Sequence, residues 1–208
     1  MNQANPYAPP RSDVTPLTPP LPSGGMSSRV PRTGAWLSIA LLIISAPYYL
    51  VYFLPGISPV AVVVTLHLII QVLSLVSLCL FVRYIEFRHS ISNLWPLFLL
   101  IAVVSVVLGI VGVPMLIDET SESPIYFWIS VLGLPVFGIP YAVLGFRIKG
   151  IQGATSLTTT LGWLMLVSGI LVASVVLALL AIPLSFAVGW ITAVVLFAGA
   201  REIDAAQA

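Results

Sequence analysis

Residues 60–82 read VAVVVTLHLIIQVLSLVSLCLFV, an apolar stretch without a charged side chain. A helix needs about 20 mainly apolar residues to cross the hydrocarbon core of a membrane. This stretch meets that requirement, so it predicts a transmembrane helix. The rest of the fold can be worked out from it in both directions along the chain.

The composition of the whole chain gives the same indication. Of its 208 residues, 59% are hydrophobic and 7% are charged, whereas a soluble domain carries about 25% charged residues. Too few charges are present to cover a water-facing surface, so the chain is predicted to lie in a lipid bilayer. The net charge of +1 provides no basic field for nucleic acid, and no nucleic-acid partner is expected.

Six apolar stretches of this kind occur, and they predict an all-α, six-transmembrane-helix bundle over residues 35–200. Turn-forming residues separate them, notably Pro55-Gly56, the acidic segment Asp118–Pro124, and Ile182-Pro183, which predicts a tight hairpin between the last two spans. The predicted spans are 35–54, 60–82, 94–117, 125–146, 160–181 and 183–200.

The two ends of the chain differ from the apolar middle. Residues 1–34 are rich in proline and lack apolar clusters, so they predict a disordered cytoplasmic tail. Its PxxP spacings, Pro6–Pro9 and Pro16–Pro19, fit either a solvated spacer or a docking segment for a partner. Residues 201–208 predict a short C-terminal tail.

The segment NPYAPP at residues 5–10 resembles the start of many small, uncharacterised bacterial inner-membrane proteins. Those proteins often begin with Asn-Pro-Tyr and a nearby proline. The resemblance covers six residues and implies a bacterial source and a cytoplasmic tail. It implies no activity.

The positive charges predict the orientation of the spans. Basic residues occur before the first span and after the second, fourth and sixth spans, and the remaining connections carry none. Because basic flanks stay on the cytoplasmic side, both termini are predicted to be cytoplasmic, in a bacterial inner membrane. The residues are Arg29, Arg32, Arg83, Arg88, Arg147, Lys149 and Arg201.

Three polar residues of the second span share one helical face. His67, Gln71 and Ser74 are spaced i, i+4 and i+7, and a polar face in hydrocarbon is expected to point toward other helices or a cavity. One interpretation is hydrogen bonding between helices. The other is a substrate or proton site, with neutral His67 as the acceptor and Gln71 as the orienting group.

The fourth span contains two prolines, each beside a glycine, in the stretch LGLPVFGIP. Each proline removes a helical hydrogen bond. Gly133, Pro135, Gly138 and Pro140 therefore predict either a kinked helix that packs on its neighbours or a discontinuous helix that lines a site.

Two short segments indicate a possible internal repeat. Residues 47–53 read PYYLVYF and residues 140–146 read PYAVLGF. The two spans that contain them cross in opposite directions in the predicted topology. Three spans plus three would then form an inverted repeat, which is typical of transporters.

Pairs of small residues at four-residue spacing recur in the predicted spans. Such pairs let two helix backbones approach closely. They fit either packing within the bundle or formation of a homo-oligomer, and the sequence leaves both open. The pairs are Ser105–Gly109, Gly138–Ala142, Gly169–Ala173 and Gly189–Ala193.

The sequence contains no recognisable catalytic motif. No carboxylate lies within a span, HExxH is absent, and two histidines with the single Cys79 form no familiar metal site, so neither metal nor cofactor is expected. The favoured hypothesis is a non-enzymatic accessory, assembly or protective component that binds a partner protein in or at the membrane. The alternative is a small-molecule transporter or channel, and an intramembrane enzyme has no motif to support it.

Overall fold

A computed structural model describes residues 21–22, 25–53, 59–117 and 124–208. Residues 1–20, with both PxxP spacings and the NPYAPP segment, lie outside this part. The described residues form six long helices and one short 3-10 helix at Ala178–Leu180. The long helices are α1 (Arg29–Phe53), α2 (Val60–His89), α3 (Trp95–Ile117), α4 (Pro124–Lys149), α5 (Ser156–Ala173) and α6 (Ala181–Gln207).

All six helices are long and apolar enough to cross a membrane. The predicted all-helical fold with six candidate spans is confirmed to this extent. Large apolar side chains such as Leu50, Val72, Val103, Ile110 and Leu132 are more than half exposed on the outside of the bundle. An exterior of this composition suits lipid and is too apolar for water.

The helices form a closed ring in chain order. Each helix packs against the next one along the chain, and α6 packs against both α5 and α1. α2 and α6 also touch across the ring. The ring therefore has one central space that all six helices can line.

Every charged residue in the described part of the chain lies at one end of the ring, termed the basic end. The start of α1, the loops after α2 and α4, and the last turns of α6 meet there. The side-chain contacts that join them are Arg32–Asp204 at 2.6 Å, Arg88–Glu202 at 2.9 Å, Arg147 to the Asn93 carbonyl at 2.8 Å, and Lys149 over the Trp163 ring at 3.6 Å.

The most tightly packed part of the interior lies next to the basic end. There α2, α4, α5 and α6 contribute large apolar side chains that are almost completely buried. This cluster, termed the apolar plug, closes the ring below the charged residues. Its members are Phe81, Val82, Ile85, Leu144, Ile148, Leu161 and Leu196.

The predicted disordered tail ends earlier than expected. α1 begins at Arg29, so residues 29–34 are helical in the structure. Tertiary contacts explain the difference, because Arg32 pairs with Asp204 and Gly34 packs against side chains of α2 and α6. Pro31 is tolerated in the first turn, where backbone N–H groups have no helical partner.

The fifth helix is shorter than predicted, and the turn lies elsewhere. α5 ends at Ala173, well before residue 181, and Pro183 lies inside the first turn of α6. Ser174 makes the turn, because its hydroxyl donates to the Leu171 carbonyl and accepts from the Leu177 N–H. A serine that bonds to its own backbone in this way competes with the helix.

The discontinuity considered for the fourth span is absent from the structure. α4 is helical from Pro124 to Lys149, with Pro135 and Pro140 inside it. A membrane-spanning helix tolerates proline when neighbouring helices support it. α5 provides that support, since it approaches the α4 backbone closely at Gly138.

Candidate functional site

The ring contains a cavity of about 450 Å³ that is open to the outside and is lined by residues of all six helices. A second cavity of about 150 Å³ adjoins it on the side of the basic end. Ser74, Ser105, Phe137, Tyr141 and Ser185 line both, so the two are parts of one space. We refer to this space as the central cavity.

Uncharged polar groups converge on the central cavity from separate helices. The larger part is lined by one amide and several hydroxyls, and no charged residue is among its described lining. The rings of Phe137 and Tyr141 lie nearly parallel, with centroids 5.8 Å apart, and form one wall. The polar residues are Tyr49, Gln71, Ser74, Ser105, Tyr141, Ser168 and Ser185.

Some of these polar groups are already bonded within the protein. Ser105 donates to the Gln71 amide oxygen at 2.8 Å, and Ser185 donates to the Ile182 carbonyl in its own helix. These bonds fix the Gln71 side chain against α3. The amide N–H groups of Gln71 take no part in the bond to Ser105.

Other hydroxyls of the lining are not bonded to any described residue. Ser168 is only 5% exposed, yet its hydroxyl makes no hydrogen bond within the described part of the chain. The hydroxyls of Ser74 and Tyr141, which are partly buried residues, also make no hydrogen bond within that part. Because these hydroxyls line the cavity, they are available to a molecule in it.

The structure separates the three residues predicted to act together on α2. Gln71 and Ser74 line the central cavity, whereas His67 does not. His67 Nδ1 lies 3.1 Å from the Tyr48 hydroxyl, and its ring faces Gly112 of α3. His67 of α2 therefore contacts both α1 and α3.

One nitrogen of His67 remains without a described partner. Nε2 is buried and makes no hydrogen bond within the described part of the chain. It lies against Gly112, where a Cβ atom would be 3.7 Å away. The nitrogen thus faces the α2–α3 contact and is separate from the hydroxyls of the cavity.

The predicted motif in α4 contributes to the cavity through its apolar and aromatic positions. Leu134, Phe137 and Tyr141 line the cavity, and Pro135 and Pro140 do not. Gly133 and Gly138 instead allow close packing, since a Cβ atom would meet Leu108 of α3 at the first and the α5 backbone at the second.

The four small-residue pairs pack within the ring. A Cβ atom at Gly109 would meet the Gln71 side chain, and one at Gly189 would meet Leu42. Gly138 and Gly169 face each other across α4 and α5. These four glycines thus serve contacts inside the bundle, and formation of a homo-oligomer stays a prediction.

The cavity contains hydroxyl and amide groups and no ligand set for a metal. The part of the chain that the structure describes holds no group of three or more histidine, cysteine or acidic residues that could bind an ion. No family model, curated protein or solved structure matches the chain. The chemistry of the cavity is therefore the basis for a functional proposal.

Proposed function

We propose that this chain is a non-enzymatic, multi-pass membrane protein that binds an uncharged small molecule in its central cavity, as a transporter or channel. The observation that carries the proposal is the convergence of uncharged polar groups from all six helices on one cavity. The Ser168 hydroxyl lines that cavity and makes no hydrogen bond within the described part of the chain, so it is a hydrogen-bonding group open to a ligand.

The lining of the cavity favours neutral molecules. Moving an ion out of water into a protein interior costs several kcal/mol unless an opposite charge or many hydrogen bonds compensate. The described lining offers no opposite charge. A hydroxyl or amide on a neutral molecule needs much less compensation, and the free hydroxyls of Ser74, Tyr141 and Ser168 can supply it.

Cysteine reactivity at Ser168 tests this proposal without knowledge of the ligand. The substitution Ser168→Cys is made together with Cys79→Ala, which removes the native thiol. We expect the new thiol to react with neutral N-ethylmaleimide much faster than with a positively charged methanethiosulfonate, because the cavity excludes charge. Proteoliposomes of the purified protein are suitable for the measurement.

Ser45→Cys in the same background is the matched control. Ser45 is buried on α1, at 9% exposure, and is not among the residues lining the cavity. It should stay unreactive toward both reagents. Equal reactivity at the two positions, or a preference of Ser168→Cys for the charged reagent, would contradict an accessible, neutral cavity.

We further propose that the basic end is cytoplasmic and that the membrane is a bacterial inner membrane. The support is the position of the described basic residues, which lie at one end of the ring. In membrane proteins, basic residues next to the spans stay on the cytoplasmic side. Ser92→Cys and Gln152→Cys test this, since both positions are exposed and lie in loops at that end. Labelling by an impermeant reagent added outside intact cells would contradict the orientation. Arg88 is unsuitable because it is buried and paired with Glu202.

An accessory or assembly component that binds a partner protein remains the second candidate. The observation in its favour is an apolar groove of about 320 Å³ on the outer surface between α4 and α5, lined by Ile139, Val143, Phe146 and Ile170 among others. A partner helix in that groove should crosslink to a photoreactive group placed at Ile170. Crosslinks to lipid alone would leave the groove without a protein partner.

The inverted repeat stays a prediction. Tyr141 of the second segment lines the central cavity, whereas the matching Tyr48 of the first contacts His67. The neighbouring Tyr49 does line the cavity. The matching tyrosines of the two segments thus have different surroundings.

A further inference from the structure

A separate cavity of about 100 Å³ lies at the basic end, between α2, the start of α5 and the end of α6. We refer to it as the basic-end cavity. Arg88, His89, Ser156 and Glu202 are among the residues that line it. Arg88 donates to the Glu202 carboxylate at 2.9 Å, so the positive and negative charges of this lining face each other. The bundle thus contains a second space with polar groups, beside the central cavity.

The basic-end cavity and the central cavity use the same faces of two helices. On α2, Phe81 lines the central cavity, and Tyr84, three residues later, lines the basic-end cavity. On α6, Thr192 and Val195 have the same relation. Three residues rise about 4.5 Å along a helix. Less than one helical turn therefore separates the two linings on both α2 and α6.

One layer of apolar side chains closes the space between the two cavities. On α5, Leu161 lies between Met165, which lines the central cavity, and Thr158, which lines the basic-end cavity. Leu196 has the equivalent position on α6, and neither leucine has any exposed surface. Both belong to the same buried cluster as Phe81, which is 1% exposed. These three residues of the apolar plug, Phe81, Leu161 and Leu196, are termed the closing layer.

The central cavity also reaches the end of the ring opposite the basic end. Ala178 of the 3-10 helix and Ala181, the first residue of α6, line it there. α6 runs from that point to the basic end, where Glu202 lines the second cavity. Along the axis of the ring, the central cavity, the closing layer and the basic-end cavity therefore follow one another.

From this order we propose that the two cavities are the ends of one passage for small, uncharged polar solutes, and that the closing layer is its gate. A constriction of apolar side chains stops polar solutes because it expels the water that would accompany them. The inference rests on the proposed function, because it gives the solute of the central cavity a way through to the basic end.

The volume of the basic-end cavity sets the size of the solute. Its volume of about 100 Å³ has room for only a few water molecules, at about 30 Å³ each. The passage therefore suits solutes of a few heavy atoms. Because the charges of Arg88 and Glu202 face each other, this cavity presents no unbalanced charge from that pair to a solute.

The contacts between α2 and α6 across the ring show how the gate can open. Tyr84 of α2 packs so closely on Gly199 of α6 that a Cβ atom there would overlap its ring. The ion pair of Arg88 with Glu202 joins the same two helices on the side of the basic end. Both contacts hold α2 against α6, so movement of these helices apart opens the closing layer toward the basic-end cavity.

Permeability to urea tests the gate in the full chain. The protein is reconstituted in liposomes, and entry of urea is followed by light scattering after an osmotic step. Leu196→Ala shortens one side chain of the closing layer, so we expect urea to enter several-fold faster than with the parent protein. Leu161→Ala should have the same effect from α5, and it provides the measurement where Leu196→Ala does not fold.

Leu94→Ala is the matched control. Leu94 is 2% exposed and belongs to the same buried cluster, but it lines neither cavity. Its truncation leaves a void in the core without widening the closing layer, so urea entry should stay at the parent rate. Equal rates with Leu196→Ala and Leu94→Ala, whether raised or unchanged, would overturn the gate.

Thiol modification tests whether the basic-end cavity is the second mouth of the passage. Ser156→Cys is combined with Leu196→Ala and Cys79→Ala, and the purified protein is treated with a positively charged methanethiosulfonate before reconstitution. The adduct occupies a cavity of only about 100 Å³, so urea entry should fall back to near the parent rate.

Gln152→Cys in the same background is the control for this modification. Gln152 is exposed in the loop before α5 and is not among the residues lining the basic-end cavity. Its modification should leave urea entry unchanged. An equal fall at Ser156→Cys and Gln152→Cys, or no fall at Ser156→Cys, would contradict a passage through this cavity.

The cysteine measurement at Ser168 separates failure of this inference from failure of the proposed function. If Ser168→Cys reacts selectively with N-ethylmaleimide while Leu196→Ala admits urea no faster than Leu94→Ala, the central cavity is accessible but ends at the closing layer, and the passage is wrong. If neither is observed, both proposals are wrong.

Discussion

Two pairs of neighbouring helices associate in opposite ways. Between α4 and α5, glycines bring the backbones into contact, since a Cβ atom at Gly169 would lie 2.5 Å from the Ala142 nitrogen. Between α2 and α3, side chains fill the space, and Ser105 bonds to Gln71 at 2.8 Å. In the proposed membrane setting, helices gain little from the hydrophobic effect, so one pair would rely on shape and the other on hydrogen bonds. The second arrangement holds polar groups at the cavity, while the first closes the wall beside it.

The largest effect is expected where the α4–α5 contact is closest. Gly169→Ala places a methyl group against the backbone of α4, which cannot move aside as a flexible side chain would. Overpacking of this kind costs about 1–3 kcal/mol, and the backbone contact puts this change near the upper end. Chemical unfolding in mixed micelles measures the loss.

Gly150→Ala is the control for that change. The added Cβ at Gly150 would lie 3.5 Å from its nearest neighbour, an ordinary contact distance. Its stability should stay within about 0.5 kcal/mol of the parent, as for most exposed substitutions. A similar loss from both variants would mean that the close approach of α4 and α5 does not matter for stability.

The next effect concerns the turn that follows α5 and leads to the 3-10 helix. Val175 has a φ of 58°, a left-handed conformation that is unusual for a β-branched residue. Val175→Gly should stabilise the protein by about 1 kcal/mol, the relief of strain less the added freedom of the unfolded chain. Val176→Gly, one position on and without a positive φ, should not stabilise it. A gain from both would point to a general effect of glycine in the turn.

A smaller effect is expected from the hydrogen bond that distinguishes the α2–α3 contact. A double-mutant cycle with Gln71→Leu and Ser105→Ala should give a coupling free energy of about 0.6 kcal/mol, the average for hydrogen bonds between membrane helices. Thermodynamic stability in mixed micelles is again the readout. Purely additive losses would show that shape, and not this bond, joins α2 to α3.

The smallest effect is expected from the same glycine-to-alanine change made at α2–α3. A Cβ atom at Gly109 would lie 3.4 Å from the Gln71 side chain, at the edge of ordinary contact. Gly109→Ala should therefore change stability by less than about 0.5 kcal/mol, because alanine's better helix propensity offsets a slight crowding. A loss as large as that of Gly169→Ala would erase the difference between the two helix pairs.

The helices were predictable from the sequence because their apolar composition predicts a lipid environment, which leaves few alternatives to a helix. A spanning segment must satisfy its own backbone, so twenty apolar residues imply a helix. The end of α5 was not predictable in the same way. Ser174 closes it through two local hydrogen bonds, yet in the sequence it is one more serine within an apolar run.

The cavity was predictable only in part. Gln71 and Ser74 could be placed on an inward face from their spacing, because they share one helix. Ser168, Ser105 and Tyr141 lie on three others, and a single hydroxyl in a membrane helix is too common to indicate a site. Only the ring brings them together. His67 was grouped with Gln71 by spacing, although its side chain contacts Tyr48 outside the cavity.

The closed ring has a consequence for how the protein is made. Contacts between chain neighbours can form as soon as the second helix of each pair is synthesised. The contact of α1 with α6 has to wait for the last helix, and its ion pair joins Arg32 to Asp204 across 172 positions. Such a long-range closure is the slow step expected in assembly. We therefore expect a chain that stops before residue 181 to be an open row of helices with its cavity hydroxyls uncovered, and quality-control proteases should remove it.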